Sequence, residues 1–256
     1  MEHGSSQIRP ENLYCRQFGK LVGNTQTLSF PACDSDSMQG LRMAVIDSFG
    51  KVYFGFGAIS KLGQACAELG IKRPLLATDP DIAEFGYLER AKSSLPAGIE
   101  AIEFAELPEH PTVEGVEKTT AAFKAHNCDG FVAIGGGSII DNCKAATILR
   151  GNPGPLRQYA GHPEKVTGPT APIIAVPTTA GTGAEMTRGG GIHPSHGQRE
   201  FGIGGSMCQP KIAVCDPELT FTLPPRLTAG TGLDAIGHCI EGYLSPTVNP
   251  PVDAIA

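Results

Sequence analysis

From Pro74 onward the chain alternates short apolar runs with stretches whose apolar residues recur every three or four positions. The runs are Pro74–Thr78, Ile99–Phe104, Gly130–Ile134 and Ile173–Val176. Each has strand length and is bounded by turn-forming residues, which predicts strands buried on both faces. Between them, Ala83–Leu95, Val113–His126 and Ser138–Leu149 are predicted helices, with Thr112 placed to cap the second. This order of strands and helices predicts an α/β fold built on a parallel sheet with helices on its faces. Upstream, Ala58–Leu69 carries Ile59, Leu62, Cys66 and Leu69 at helical spacing and is stopped by Gly70. Met43–Ile46 and Lys51–Phe56 are expected as a strand pair about a turn at Asp47–Gly50.

The two ends of the chain break the pattern. Residues 1–42 are polar and irregular and are expected as an extension, leaving 43–222 as the α/β domain. Pro224-Pro225 marks a change, after which Arg226–Gly230 and Leu233–Leu244 have helical character. Residues 223–256 are therefore expected to begin an all-helical domain. Asp253-Ala254-Ile255-Ala256 resembles the start of a further helix, so the sequence reads as cut within that domain.

Composition narrows the partners. The 256 residues carry 20 Lys and Arg against 26 Asp and Glu, a formal charge of −6, which argues against nucleic acid or an anionic membrane. No run of some 18 apolar residues is present to span a bilayer, and residues 1–26 lack a secretory signal's apolar stretch. Eight cysteines show no C-x-x-C pair or metal-finger spacing, which suits free thiols in a reducing cytoplasm.

Three segments carry candidate chemistry. Gly135-Gly136-Gly137-Ser138 follows a strand and opens a helix, a context in which backbone N–H groups and the helix dipole can hold a phosphate. The same residues can be read as local structure, with Ser138 capping the helix and Asp141 completing a capping box. Asp79, at the end of the first strand of the alternation, is placed either to bind ribose hydroxyls or simply to begin a turn before Pro80. Thr178, Thr179 and Thr182 lie in the glycine-bearing loop Pro177–Thr187 at another strand's carboxyl end, where hydroxyls can line a ligand. Asp234 and His238 are four residues apart on one helix face, a suitable pair of ligands for zinc or ferrous iron. His193 and His196 have a loop spacing that could ligate metal, but a pair at a hairpin tip reads more readily as simply exposed. His3, His110, His126 and His162 read as solvated.

Together these motifs resemble the iron-containing (group III) alcohol dehydrogenase family. The resemblance runs through Gly135-Gly136-Gly137-Ser138, Asp141 and Lys144, then Pro177-Thr178-Thr179-Ala180-Gly181-Thr182-Gly183-Ala184-Glu185. It continues through Asp216-Pro217-Glu218-Leu219, Pro224-Pro225, Gly232-Leu233-Asp234, His238 and Glu241, and covers about residues 43–256. It implies a dinucleotide-binding domain of the dehydroquinate synthase-like type followed by an all-helical domain, with the active site between them. Carried over residue by residue, it implies pyrophosphate contacts at Gly136, Gly137 and Ser138 beside Gly135, and a ribose contact at Asp79 that favours NAD. It also implies phosphate and nicotinamide contacts at Thr178, Thr179 and Thr182, and an orienting acid at Asp141. Asp234 and His238 match the first two of four metal ligands, the other two being histidines further downstream in the family. The sequence departs from the pattern at Glu200, where a lysine is usual, and at Gly189–His193, where an apolar strand is usual.

The expected activity is hydride transfer between a short alcohol or aldehyde and NAD, with ferrous iron, or zinc as the alternative, at Asp234 and His238. A homo-oligomer is compatible with it. With two of four ligands in the sequence, the 256-residue chain is expected to be catalytically inactive. Rival readings are a nucleotide-binding chain without catalysis and a metal-free, maleylacetate reductase-like relative. A dehydroquinate synthase-like lyase is disfavoured by the threonine loop and the Asp–His spacing.

Overall fold

The computed structural model describes residues 50–245. The extension at 1–42, the strand expected at Met43–Ile46, most of its turn, and residues 246–256 lie outside the described residues.

Six strands form one all-parallel sheet: β1 (Lys51–Phe54), β2 (Pro74–Ala77), β3 (Ile102–Phe104), β4 (Gly130–Gly135), β5 (Ile173–Pro177) and β8 (Ile212–Cys215). Their spatial order is β1-β8-β5-β4-β2-β3. β6 (Gly189–Ile192) and β7 (Phe201–Gly204) make a separate antiparallel hairpin. The helices are α1 (Leu62–Glu68), α2 (Pro80–Glu84), α3 (Tyr87–Ser93), α4 (Val113–Ala125), α5 (Gly137–Gly151) and α6 (Pro225–Leu244).

Every residue of β2, β4 and β5 is buried, which explains why their sequences read as continuous apolar runs. The two-residue period still sorts their side chains. Phe131 and Ala133 of β4, with Ile173 and Ala175 of β5, pack against α4 and α5. Val132, Ile134, Ile174 and Val176 pack on the other face with Leu62 and Ala65 of α1 and Leu88 and Ala91 of α3. The result is a three-layer sandwich. Stacked Phe123 and Phe131, with ring centroids 4.3 Å apart, join α4 to the sheet. Burying each large apolar side chain contributes about 1.5–3 kcal/mol, so the two layers of core residues outweigh any one cap or ion pair.

Several expectations shift in detail. The helix expected at Ala83–Leu95 is two, because Gly86 takes a left-handed φ of 79° between α2 and α3. Asp79 caps α2 by accepting from Ile82 N at 2.8 Å, and Thr112 caps α4 by accepting from Gly115 N at 3.1 Å. Ser138 does not cap α5: Gly136 holds that position without a side-chain bond, and Ser138 lies inside the helix. The pair of helices expected after Pro224 is one continuous α6, which runs through Gly230 and Gly232. The sequence reading missed β8 altogether. Its signal was Ile212-Ala213-Val214-Cys215, a four-residue apolar run ending at Asp216-Pro217.

After β2 the chain passes to α2 and α3 on one face of the sheet. After neighbouring β4 it passes to α5 on the other. Adjacent strands whose connections leave on opposite faces open a crevice at their carboxyl ends, the usual ligand position in such sheets. Asp79 and the glycine turn stand on its two sides. Thr78 bridges the strands there by donating from Oγ1 to Ile134 O at 2.8 Å.

Candidate functional site

The glycine turn is shaped first by what stands over it. Gly135 has φ 155°, a region L side chains avoid, and a Cβ there would strike Ile139. A Cβ on Gly137 would lie 2.7 Å from Thr182 Oγ1, and one on Gly136 would lie 3.4 Å from Thr179 Oγ1. The threonine loop therefore rests on the turn, and at Gly137 only a glycine lets it approach. Thr178 N donates to Gly135 O at 3.1 Å and fixes the start of the loop to the end of β4. Thr178 is buried, Thr179 half-buried and Thr182 exposed, and Thr182 Oγ1 accepts from Ala184 N at 3.2 Å. The structure thus brings Gly135, Gly136, Gly137, Thr178, Thr179 and Thr182 together above the N-terminus of a 15-residue helix. Ile139 N is taken by Gly136 O at 3.1 Å, but the N–H groups of Gly137 and Ser138 precede the helical ladder, so the cradle could hold a pyrophosphate.

Asp79 stands across the crevice. Burial pushes its carboxyl above the ordinary aspartate range, against the bond from Ile82 N, with Asp81 and Glu109 pushing it further the same way. Capping and ligand binding are compatible here, since the cap bond to Ile82 uses Oδ1.

Asp141 does not complete a capping box. Its Oδ1 accepts from Lys144 Nζ at 3.0 Å and its Oδ2 from Gly191 N at 3.1 Å, which ties α5 to the β6–β7 hairpin. Burial raises its pKa, opposed mainly by the Lys144 ammonium. Sequence reasoning gave Lys144 no job, although a lysine among Cys143, Ala145, Ala146 and Ile148 was the available signal. Asp216, read only within the resemblance, was likewise given no role. Its buried carboxylate accepts from Gly57 N, Ile59 N and Glu218 N at 3.1–3.2 Å, clamping the loop after β1 to the end of β8.

Asp234 Oδ2 and His238 Nε2 stand 3.6 Å apart on α6, both exposed. A Cβ on Gly181 would lie 2.8 Å from Thr231 O, so α6 passes directly over the threonine loop. Thr231, Asp234 and His238 follow i, i+3, i+7 spacing and share that face of the helix. The pair fits one side of a divalent metal's coordination sphere with a carboxylate oxygen and an imidazole nitrogen. Among the described residues no three His, Cys, Asp or Glu side chains are gathered to hold a metal ion. Beside the loop, a groove of about 400 Å³ opens at the carboxyl ends of β1, β5 and β8, lined in part by Phe54, Thr179, Glu185, Met186 and Thr220.

The histidines set aside in the sequence are partly associated. The His110 ring lies 6.1 Å from that of His193 and 5.8 Å from that of His196, where the hairpin tip meets the start of α4. His193 Nδ1 is engaged with Gln198 O at 2.7 Å, and its Nε2 faces Glu200 at 3.8 Å.

Comparison with known proteins agrees with this geometry. The chain is 46% identical over 217 residues to a 4-hydroxybutyrate dehydrogenase of Cupriavidus necator, covering 84% of this chain and 56% of that one. A crystal structure of 1,3-propanediol oxidoreductase superposes with a TM-score of 0.77 at 38% identity, covering 83% of this chain and 56% of that one. A sulfoacetaldehyde reductase from Bifidobacterium kashiwanohense, solved with NAD+, superposes with a TM-score of 0.76 at 28% identity over 83% and 56% of the two chains. The chain thus spans little more than half the length of these relatives. Because residues 50–217 also match the family described as iron-containing alcohol dehydrogenase, this chain belongs to that family.

Proposed function

We propose that the protein is an NAD-dependent, metal-dependent alcohol dehydrogenase that moves hydride between a small alcohol or aldehyde and the nicotinamide ring. The observation that carries the reading is the threonine loop resting on the glycine turn at the crevice of an all-parallel sheet. Gly135, Gly136, Gly137 and Ser138 bind the pyrophosphate, and Thr178, Thr179 and Thr182 line its path toward the nicotinamide. Asp79 favours NAD over NADP, because its carboxylate accepts from ribose hydroxyls and repels a 2′-phosphate. The NAD+ complex of the Bifidobacterium relative supports the same choice.

When held by Asp234 and His238, ferrous iron or zinc supplies Lewis acidity toward an alcohol oxygen. Thr231, on the same helix face, lies over Gly181 of the threonine loop, which supports a metal position close to the cofactor. The groove at the ends of β1, β5 and β8 offers room for a small alcohol. A cytoplasmic location suits the free thiols among the described cysteines. A second reading, nucleotide binding without turnover by residues 1–256, is favoured by there being only two ligands together on α6 among the described residues.

Fluorescence titration tests the cofactor assignment. NADH should bind more tightly than NADPH, and Asp79→Gly should narrow the difference. Equal affinities in the parent protein would remove Asp79 from the site. Alcohol-dependent NAD+ reduction with added ferrous ion separates the two readings: the second expects none from these 256 residues.

A further inference from the structure

Lys144 is the buried lysine among the described residues, with no exposed surface. Its three ammonium protons meet three acceptors: Asp141 Oδ1 at 3.0 Å, Thr187 Oγ1 at 3.0 Å and Gly189 O at 2.7 Å. That saturates the group. Asp141 completes the grip by accepting from Gly191 N. A Cβ on Gly190 would lie 2.7 Å from Asp141 Cγ, so the glycine at this position of β6 is what allows the strand to approach α5.

Two of the acceptors of Lys144, Thr187 and Gly189, sit at the far end of the threonine loop. The near end, Thr178, is fixed by Gly135 O. Between these anchors Thr179 and Thr182 stand against Gly136 and Gly137. One helix thus carries both parts of the cofactor site: its first turn borders the phosphate cradle, and its second turn holds the loop that covers the cradle.

We propose that Lys144 and Asp141 are positioning residues that set the threonine loop over the pyrophosphate cradle, so that cofactor affinity depends on a pair whose donors and acceptors are engaged by the protein itself. The proposal rests on the nucleotide-binding reading above. It gives the acid at Asp141 a different task from orienting groups near the nicotinamide. It also gives a reason for the charge in the middle of an apolar helix: an apolar residue could fill the space but could not hold Thr187 and Gly189.

The test compares NADH affinity with thermal stability in the parent, Lys144→Met, Asp141→Asn and the double variant. Lys144→Met leaves the half-buried Asp141 carboxylate without its cation and should lower the melting temperature and weaken NADH binding by about tenfold or more, the scale of lost bonds to a charged group. The double variant removes both charges, so melting should recover toward the parent while NADH binding stays weak. Amide exchange in peptides covering 178–191 should be faster than in the parent, with β4 unchanged. If Lys144→Met does not fold, the double variant decides. Parent-like NADH affinity in the folded double variant overturns the proposal, because packing alone would then suffice. A parent protein that binds no NADH overturns the nucleotide-binding reading itself, and the proposal with it.

Discussion

Helices α5 and α6 carry the two halves of the proposed site and are held in opposite ways. Ten of the residues of α5 are buried, including Ile139, Ile140, Cys143 and Lys144. None of α6 is, although it is longer. Leu233, Ile236, Ile240, Tyr243 and Leu244 of α6 form an exposed apolar stripe at spacings of three and four. At roughly 100° per residue, that stripe faces away from Thr231, Asp234 and His238. The nucleotide half is therefore a finished packing problem, in which each contact is fixed by several neighbours. The metal half is a helix with one face on the threonine loop and an apolar face bare among the described residues. Chemistry on α5 should be sensitive to nearly any change, and chemistry on α6 to few.

The largest expected break in that comparison is Gly137→Val. A branched side chain would collide with Thr182 and occupy the cradle, so NADH binding should fall by about a hundredfold or more in a fluorescence titration. Asp234→Ala and His238→Ala should leave NADH affinity within about twofold of the parent, as exposed substitutions away from the cradle. Strong loss of NADH binding from either α6 variant would mean that the two halves are one unit.

Stability should divide along the same line. Phe131→Ala removes a fully buried ring stacked on Phe123 and should cost about 3–5 kcal/mol in denaturant unfolding. Ile240→Ala on α6 removes an exposed side chain and should change stability by no more than about 0.5 kcal/mol. An equal cost at both positions would show that something covers the α6 stripe in solution.

Metal affinity sharpens the contrast from the other side. Asp234 and His238 supply two donors on an exposed surface, without the closed ligand set that makes a site tight. Elemental analysis of the purified 256-residue chain should find no stoichiometric iron or zinc. One metal per chain, lost on Asp234→Ala, would require further ligands and would redirect attention to the histidines near His193.

The same contrast explains what the sequence made legible. The buried strands β2, β4 and β5 were readable because burial on both faces leaves an unbroken apolar run, and α4 because Thr112 marks its start. β8 is as long as β2 but escaped because it lies between two short 3-10 turns, Ser206–Cys208 and Pro217–Thr220, outside the strand–helix alternation that marked the others. The glycine turn could be located, but the reason for Gly137 could not: Thr182, 45 positions later, imposes it. Asp141 was noticed as an acid at the right place, yet what it and Lys144 hold, Gly191, Gly189 and Thr187, belongs to a hairpin and the loop before it, whose docking no local pattern encodes. Motifs identified the surfaces, and long-range contacts decided what each side chain does on them.

The smallest and most local test uses one cysteine on each helix. Cys143 of α5 is fully buried, and burial pushes its thiol far above the ordinary range. Cys239 of α6 is exposed. Alkylation needs access to the sulfur, so Cys239 should be modified in native buffer and Cys143 only when the domain unfolds. Peptide mapping by mass spectrometry assigns each site directly and keeps Cys15 and Cys33, outside the described residues, from confusing the count. Cys208 and Cys66, pushed up to about 12 and about 11 by burial, should follow Cys143 rather than Cys239. Because the modification of Cys143 reports opening of α5, its rate in urea should track global unfolding. A Cys143 that reacts in native buffer as fast as Cys239 would mean that α5 opens locally, and the packing argument for the nucleotide half would fail with it.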